Sequence, residues 1–66
     1  MTMKINGTHR KLPSGMSIAD LLNELDIPAE GTAVALNGAV IPRLKHEATK
    51  LCENDEIEVI RAVAGG

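Results

Sequence analysis

No phenylalanine, tyrosine or tryptophan occurs in this sequence, and that lack constrains both its core and its partners. With 44% hydrophobic residues and no ring among them, the core must be built from Ile, Leu, Val, Met and Ala. No aromatic side chain is available for base stacking. The basic residues (Lys4, Arg10, Lys11, Arg43, Lys45, Lys50 and Arg61) are scattered rather than gathered in a stripe. Together these features argue against nucleic-acid binding. Cysteine occurs once, at Cys52, so no internal disulfide can form. No Cys/His spacing suits a structural metal, and no metal site is expected. No apolar run approaches the length that spans a bilayer. No charged segment followed by an apolar one marks a secretory signal. With a net charge of -2 and a lone cysteine that fits a reducing compartment, the expected location is cytoplasmic, away from membranes.

What is present fits one small domain of 66 residues. A domain of this size buries only about 60% of the surface its unfolded chain exposes, so its stability should be modest. Residues 2–6 and 8–12 read as an antiparallel hairpin around Asn6-Gly7, a dipeptide suited to the positive dihedrals of a two-residue turn. Ser17 is placed to cap a helix, with Asp20 three residues on to reciprocate. Ile18, Leu21, Leu22 and Leu25 then share one face of a helix of about nine residues, which Pro28 should end. Thr32 to Asn37 reads as a strand, Asn37-Gly38 as a second turn, and Val40-Ile41 as a short strand. Residues 43–53 look irregular, with Leu44 and Leu51 as expected core anchors. Glu56 to about Ala62 forms the last strand after a turn at Asn54-Asp55. One helix laid across one face of a mixed sheet is an α+β, two-layer solution. The element order matches the ubiquitin-like β-grasp, giving a domain over residues 1–62 and a tail over 63–66.

The tail ends in Gly65-Gly66. Two terminal glycines arise by chance in roughly one chain in 200, so the pair matters only through its context. Here the last strand runs almost to the end, which tethers the terminus to a folded body. Glycine has no Cβ, so such an end can thread a channel that a larger side chain would obstruct. Residues 63–66 can extend roughly 14 Å from the sheet. That reach suits insertion into a partner's active site, where the terminal carboxylate can be activated, typically as an acyl-adenylate. The chain would then be a cosubstrate rather than an enzyme. No paired carboxylates, nucleophile–base set or phosphate loop argues for autonomous catalysis.

Two segments carry a family resemblance. Ala33-Val34-Ala35-Leu36-Asn37-Gly38, followed by Pro42-Arg43, resembles the central motif of the ThiS family. The stretch from Asn54 through Arg61-Ala62-Val63-Ala64-Gly65-Gly66 is similar to that family's ending. The first hairpin and the Leu-rich helix align in order and length. Two departures stand out: Ala64 occupies a place where glycine is frequent, and residues 43–50 lack an aromatic. The resemblance implies a ubiquitin-like sulfur carrier for thiamine thiazole synthesis. A ThiF-like enzyme would use ATP to adenylate Gly66, so the carrier itself binds no cofactor. A persulfide derived from cysteine by a desulfurase would convert it to a thiocarboxylate, and a ThiG-like thiazole synthase would take the sulfur. Gly66 is then the attachment residue and Gly65 its access residue. The alternatives are a MoaD-like carrier for molybdopterin, a modifier joined to lysines, and a ubiquitin-like interaction module with an idle tail. The MoaD pattern usually leads into Gly-Gly through Pro and Phe, unlike Arg61-Ala62-Val63.

If Val34, Leu36, Ile57 and Val59 face the helix, then Ala33, Ala35, Ile60 and Ala62 form an apolar patch on the opposite face, leading to the tail. That patch is the candidate docking surface for a partner, with the chain alone a monomer. The remaining residues carry blander expectations. Cys52 reads as a small buried hydrophobe without a role, and His9 and His46 as surface residues. Glu53, Asp55, Glu56 and Glu58 read as a solvated edge that could steer docking. Met1, Met3 and Met16 read as core or terminal fillers.

Overall fold

The computed structural model describes residues 1–61 of the chain. Five strands form one sheet in the order β2-β1-β5-β3-β4. They are β1 (Thr2–Ile5), β2 (Thr8–Lys11), β3 (Thr32–Leu36), β4 (Ala39–Ile41) and β5 (Glu56–Arg61), with one helix, α1 (Ile18–Glu24), between β2 and β3. β5 lies in the middle, parallel to β1 and antiparallel to β3. This is the expected α+β architecture in the β-grasp order.

Both predicted turns form. Asn6 and Gly7 have φ of 51° and 82°, and Asn37 and Gly38 have 50° and 87°. Positive dihedrals at both central positions match the right-handed twist of the flanking strands. The helix start is also as read: the Ser17 side chain accepts from the Asp20 N–H at 3.1 Å, and the Asp20 carboxylate accepts from the Ser17 N–H at 3.0 Å. The reciprocal bonds satisfy N–H groups that would otherwise have no intrahelical partner.

The helix is shorter than expected, at seven residues, and Pro28 does not end it. Asp26 turns left-handed, with φ 60°. Its N–H donates to Asn23 O, and the Ile27 N–H donates to Leu22 O. These paired bonds are a Schellman stop, which needs a left-handed residue one position after the cap. Aspartate tolerates that conformation better than most residues.

Ile18, Leu21 and Leu22 of α1 pack on Met3, Ile5, Val34 and Ile57 of the sheet, and all are buried. Leu51 joins them as predicted, and Met1 and Met16 pack at the margin. Leu44 does not: it is 96% exposed. Residues 43–45 form a 3-10 turn, and the inward position of this segment falls to His46, which is 3% exposed. The surface reading of His46 is thereby corrected. Its backbone O accepts from Ala19 N–H, tying the segment to the helix start, and its Nε2 lies 3.0 Å from Ile41 O. His9 is exposed as expected.

Candidate functional site

The site begins with how β5 is held, because β5 delivers the tail. Each turn asparagine bonds to β5 with its side chain as well as its backbone. On the β1 side, Asn6 N–H donates to Ile57 O at 2.9 Å, and Asn6 Oδ1 accepts from Val59 N–H at 2.8 Å. On the β3 side, Asn37 N–H donates to Glu56 O at 2.7 Å, and Asn37 Oδ1 accepts from Glu56 N–H at 2.9 Å. Asn37 Nδ2 also donates to Asp55 Oδ1 at 3.0 Å. These bonds lock the register of the central strand from both flanks. A slip of one residue would exchange its two faces.

With that register, Leu36 lies opposite Ile57 and Val34 opposite Val59, on the helix side. Ala33 lies opposite Ile60, and Ala35 opposite Glu58, on the far side. The two faces expected from alternation are therefore the two faces observed. Ala33 is exposed, Ala35 half-buried and Ile60 56% exposed. Ala62, the fourth patch residue, lies outside the described residues, as do Gly66, the expected attachment residue, and its neighbour Gly65.

Sequence reasoning missed Val40. It sits opposite Ala35 on β4 and is 71% exposed, so it extends the patch to the sheet edge. The signal was available: a two-residue turn at Asn37-Gly38 pairs Leu36 with Ala39, which places Val40 beside Ala35. The outer face thus carries Ile60, Ala33, Ala35 and Val40 at one corner, with Glu58 among them and Glu56 next along β5. Lys4 is the β1 register partner of Glu56, and His9 is that of Lys4 on β2. The face grades from apolar near the end of β5, through acidic, to basic at the β2 edge.

The acidic cluster does more than meet solvent. Glu53 Oε2 accepts from Thr2 N–H at 2.8 Å, and Asp55 Oδ2 accepts from Cys52 N–H at 2.7 Å. Asp55 therefore shapes the turn that leads into β5, and Glu56 and Glu58 remain exposed. Cys52 is exposed rather than buried, because its neighbour Leu51 takes the inward position. It lies in the turn that precedes β5 (Glu56–Arg61), before the strand rather than at its Arg61 end. Among the described residues, no group of three or more His, Cys, Asp or Glu could hold a metal. No described helix is long and apolar enough to cross a membrane.

Among the described residues, the Asp20 carboxyl has its pKa lowered. The Ser17 backbone N–H, then the Ser17 hydroxyl and the charge of Lys50, hold its carboxyl below the ordinary aspartate value against a smaller opposing effect of desolvation. It serves the helix start, not the tail.

Comparison with known proteins agrees with this geometry. The ThiS family model matches residues 3–66. The sulfur carrier protein ThiS of Escherichia coli (strain K12) is 27% identical over 66 residues, covering 100% of both chains. A thiazole synthase of Magnetococcus marinus is 35% identical over 66 residues, which are all of this chain and 20% of that protein. The crystal structure of the thiamine biosynthesis protein ThiS from Geobacter metallireducens superposes with a TM-score of 0.88 at 29% identity, covering 100% of both chains. The match extends over the whole fold, a ubiquitin-like β-grasp. By family match, fold and full-length coverage, this chain belongs to the ThiS family.

Proposed function

We propose that this chain is a sulfur carrier in thiamine biosynthesis, with residues 1–62 as the docking body and 63–66 as the reacting tail. The observation that carries the reading is the course of β5. It stays paired with β3 as far as Arg61, five residues before Gly66, and the outer sheet face beside that end is apolar. A partner that grips Ile60, Ala33, Ala35 and Val40 would hold the tail within reach of its own catalytic cleft. Exposed aliphatic residues gathered at one corner suit burial against a partner better than scattered ones do.

The chemistry follows from a carboxylate being a poor electrophile. A ThiF-like enzyme would join the Gly66 carboxylate to the α-phosphate of ATP, releasing pyrophosphate and leaving an acyl-adenylate. The terminal sulfur of a protein persulfide, formed from cysteine by a desulfurase, would attack that carbonyl and expel AMP. A second thiol would cleave the resulting S–S bond, leaving a thiocarboxylate on Gly66 and a disulfide on the donor. The thiazole synthase would then receive the sulfur. The Magnetococcus relative supports that last partner, since it is named a thiazole synthase and contains a region similar to this entire chain. Cys52 has no part in the sequence, being exposed at the far end of β5.

The test is incubation of the full chain with a ThiF-like enzyme, ATP and a persulfide source, followed by mass measurement of the C-terminal peptide. Exchange of one oxygen for one sulfur on that peptide is the expected result. An unchanged peptide from an enzyme that sulfurates its own cognate carrier would refute the reading.

A further inference from the structure

Two asparagines, Asn6 and Asn37, are followed directly by glycine, and both pairs stand at exposed turns. The sulfur chemistry uses neither amide. An asparagine before glycine is nonetheless reactive toward its own backbone. The glycine nitrogen attacks the asparagine Cγ and expels ammonia, whose third hydrogen is the one the glycine N–H gave up. The product is a five-membered cyclic imide. Water then adds to one of its two carbonyls and opens the ring, giving aspartate or isoaspartate without any change of oxidation state. Glycine favours the attack because no Cβ obstructs the approach. The surroundings are open here: nothing lies within 4 Å of where a Cβ would stand on Gly7 or Gly38. Asn23 and Asn54 instead precede Glu24 and Asp55, whose side chains crowd the attacking nitrogen.

The two sites differ in how firmly the amide is held. Ring closure must swing Cγ away from its present bonds and onto the glycine nitrogen. At Asn6 only Oδ1 is engaged, accepting from Val59 N–H at 2.8 Å; among the described residues, its Nδ2 makes no hydrogen bond. At Asn37 both ends are engaged. Its Oδ1 accepts from Glu56 N–H at 2.9 Å, and its Nδ2 donates to Asp55 Oδ1 at 3.0 Å. Asp55 is itself pinned, because its Oδ2 accepts from Cys52 N–H at 2.7 Å. The strands behind the turns differ in the same sense. β1 meets β5 at two register pairs, whereas β3 meets it at five.

We propose that Asn6-Gly7 is a modification site of the folded chain, deamidating ahead of Asn37-Gly38, and that Asp55 is the residue protecting Asn37. The extra bond on Asn37 must open before its ring can close, which slows the reaction there by about three- to tenfold. The consequence of reaction at Asn6 falls on β5. Aspartate keeps an oxygen in place for Val59 N–H. Isoaspartate carries the main chain through the former side-chain carbon, lengthens the turn by one methylene and withdraws that oxygen. Val59 N–H is then released one residue before Ile60, which stands on the outer face opposite Ala33.

The test is incubation of the full chain at mildly alkaline pH, folded and in urea, with the two Asn-Gly peptides followed by mass spectrometry after digestion. In the folded chain, exchange of NH2 for OH should appear about three- to tenfold faster on the Asn6 peptide than on the Asn37 peptide. In urea the two rates should converge. Asp55→Ala should speed the Asn37 peptide by about the same factor while the Asn6 peptide, an internal reference, keeps its parental rate. The isoaspartate fraction at position 6 should show faster hydrogen exchange at the Val59 amide, and the aspartate fraction should not. Equal rates in the folded parent, a gap that persists in urea, or an Asp55→Ala variant in which both peptides accelerate alike would overturn the assignment. Unchanged protection of Val59 in the isoaspartate fraction would overturn the link to β5. No activating enzyme or sulfur donor enters these measurements, so this inference and the carrier reading can each fail alone.

Discussion

Ile57 and Ile60 stand three residues apart on one strand and should respond to the same substitution in opposite ways. Ile57 is 0% exposed and packs under α1. Truncating a fully buried Ile to Ala typically costs about 2–5 kcal/mol, through lost transfer energy and the cavity left behind. A domain of this length has a total stability of about 3–10 kcal/mol, so Ile57→Ala should remove a large share of it. Ile60 is 56% exposed. Full burial of such a side chain contributes about 1.5–3 kcal/mol, so its present, partial burial contributes about 1 kcal/mol. Ile60→Ala should therefore fold and melt nearly as the parent does. Its cost should appear on docking, where the exposed part of the side chain becomes buried. That area contributes about 1–2 kcal/mol, or roughly five- to thirtyfold in apparent affinity.

The assay is urea denaturation for both variants, and steady-state adenylation by the activating enzyme with the carrier as the varied substrate. Ile60→Ala should raise KM with kcat unchanged, the signature of lost uniform binding. Ile60→Glu should raise it further, since a charge would then face the partner's apolar surface beside Glu58. Two results would refute the reasoning. If Ile60→Ala unfolds as readily as Ile57→Ala, the faces of β5 are misassigned. If it folds but KM does not move, the outer sheet face is not where the activating enzyme binds.

Asp20→Asn should destabilise the chain at neutral pH and become nearly neutral in acid. The Asp20 carboxyl has its pKa lowered in the folded state, so its contribution is present above the ordinary aspartate value and disappears as pH falls through the lower folded one. Urea midpoints of parent and variant should converge across that acidic window; a constant gap would contradict the assignment. Deletion of Gly66, or Gly65→Leu, should abolish or strongly reduce adenylation while leaving stability within about 0.5 kcal/mol, as for changes outside a core. A full rate of AMP transfer from Gly65→Leu would count against a narrow channel. Cys52→Ser should sulfurate at the parental rate in a reconstituted assay, and an inactive variant would return the thiol to the mechanism.

The readings that held were those in which local chemistry and tertiary packing ask for the same thing. Asn-Gly at two turns, Ser17 with Asp20, and the apolar stripe of α1 each specify a conformation that the β-grasp also requires. Alternation along residues 56–60 assigned the faces correctly for the same reason. The misreadings cluster at the helix end and in residues 43–53, where there is no periodicity to follow. Leu44 looked like an anchor by hydropathy, but a 3-10 turn carries it outward and puts His46 inward, a choice made by backbone geometry alone. Cys52 was misplaced because Leu51 is the better occupant of the one inward position available there. The helix stop was credited to Pro28 when Asp26 had already ended it by turning left-handed.

The least legible feature is the one on which the proposed docking face depends. Asn6 and Asn37 announce turns, and any residue tolerating positive φ could have served that purpose beside glycine. Their side chains do something a turn does not need. From opposite flanks they bond to β5, 51 to 53 residues away for Asn6 and 18 to 19 for Asn37. β1 pairs with β5 only at Lys4–Glu56 and Ile5–Ile57, so without the Asn6 bond the Val59 N–H would lose its partner on that flank. A parallel pairing of two residues is a weak restraint on register. Here the asparagines supply what the ladder lacks, and they do so at the strand whose parity decides whether Ile60 or Val59 lies on the outer face. The turn residues thus act at a distance: they keep the apolar corner on the outer face of the sheet, at the Arg61 end of β5.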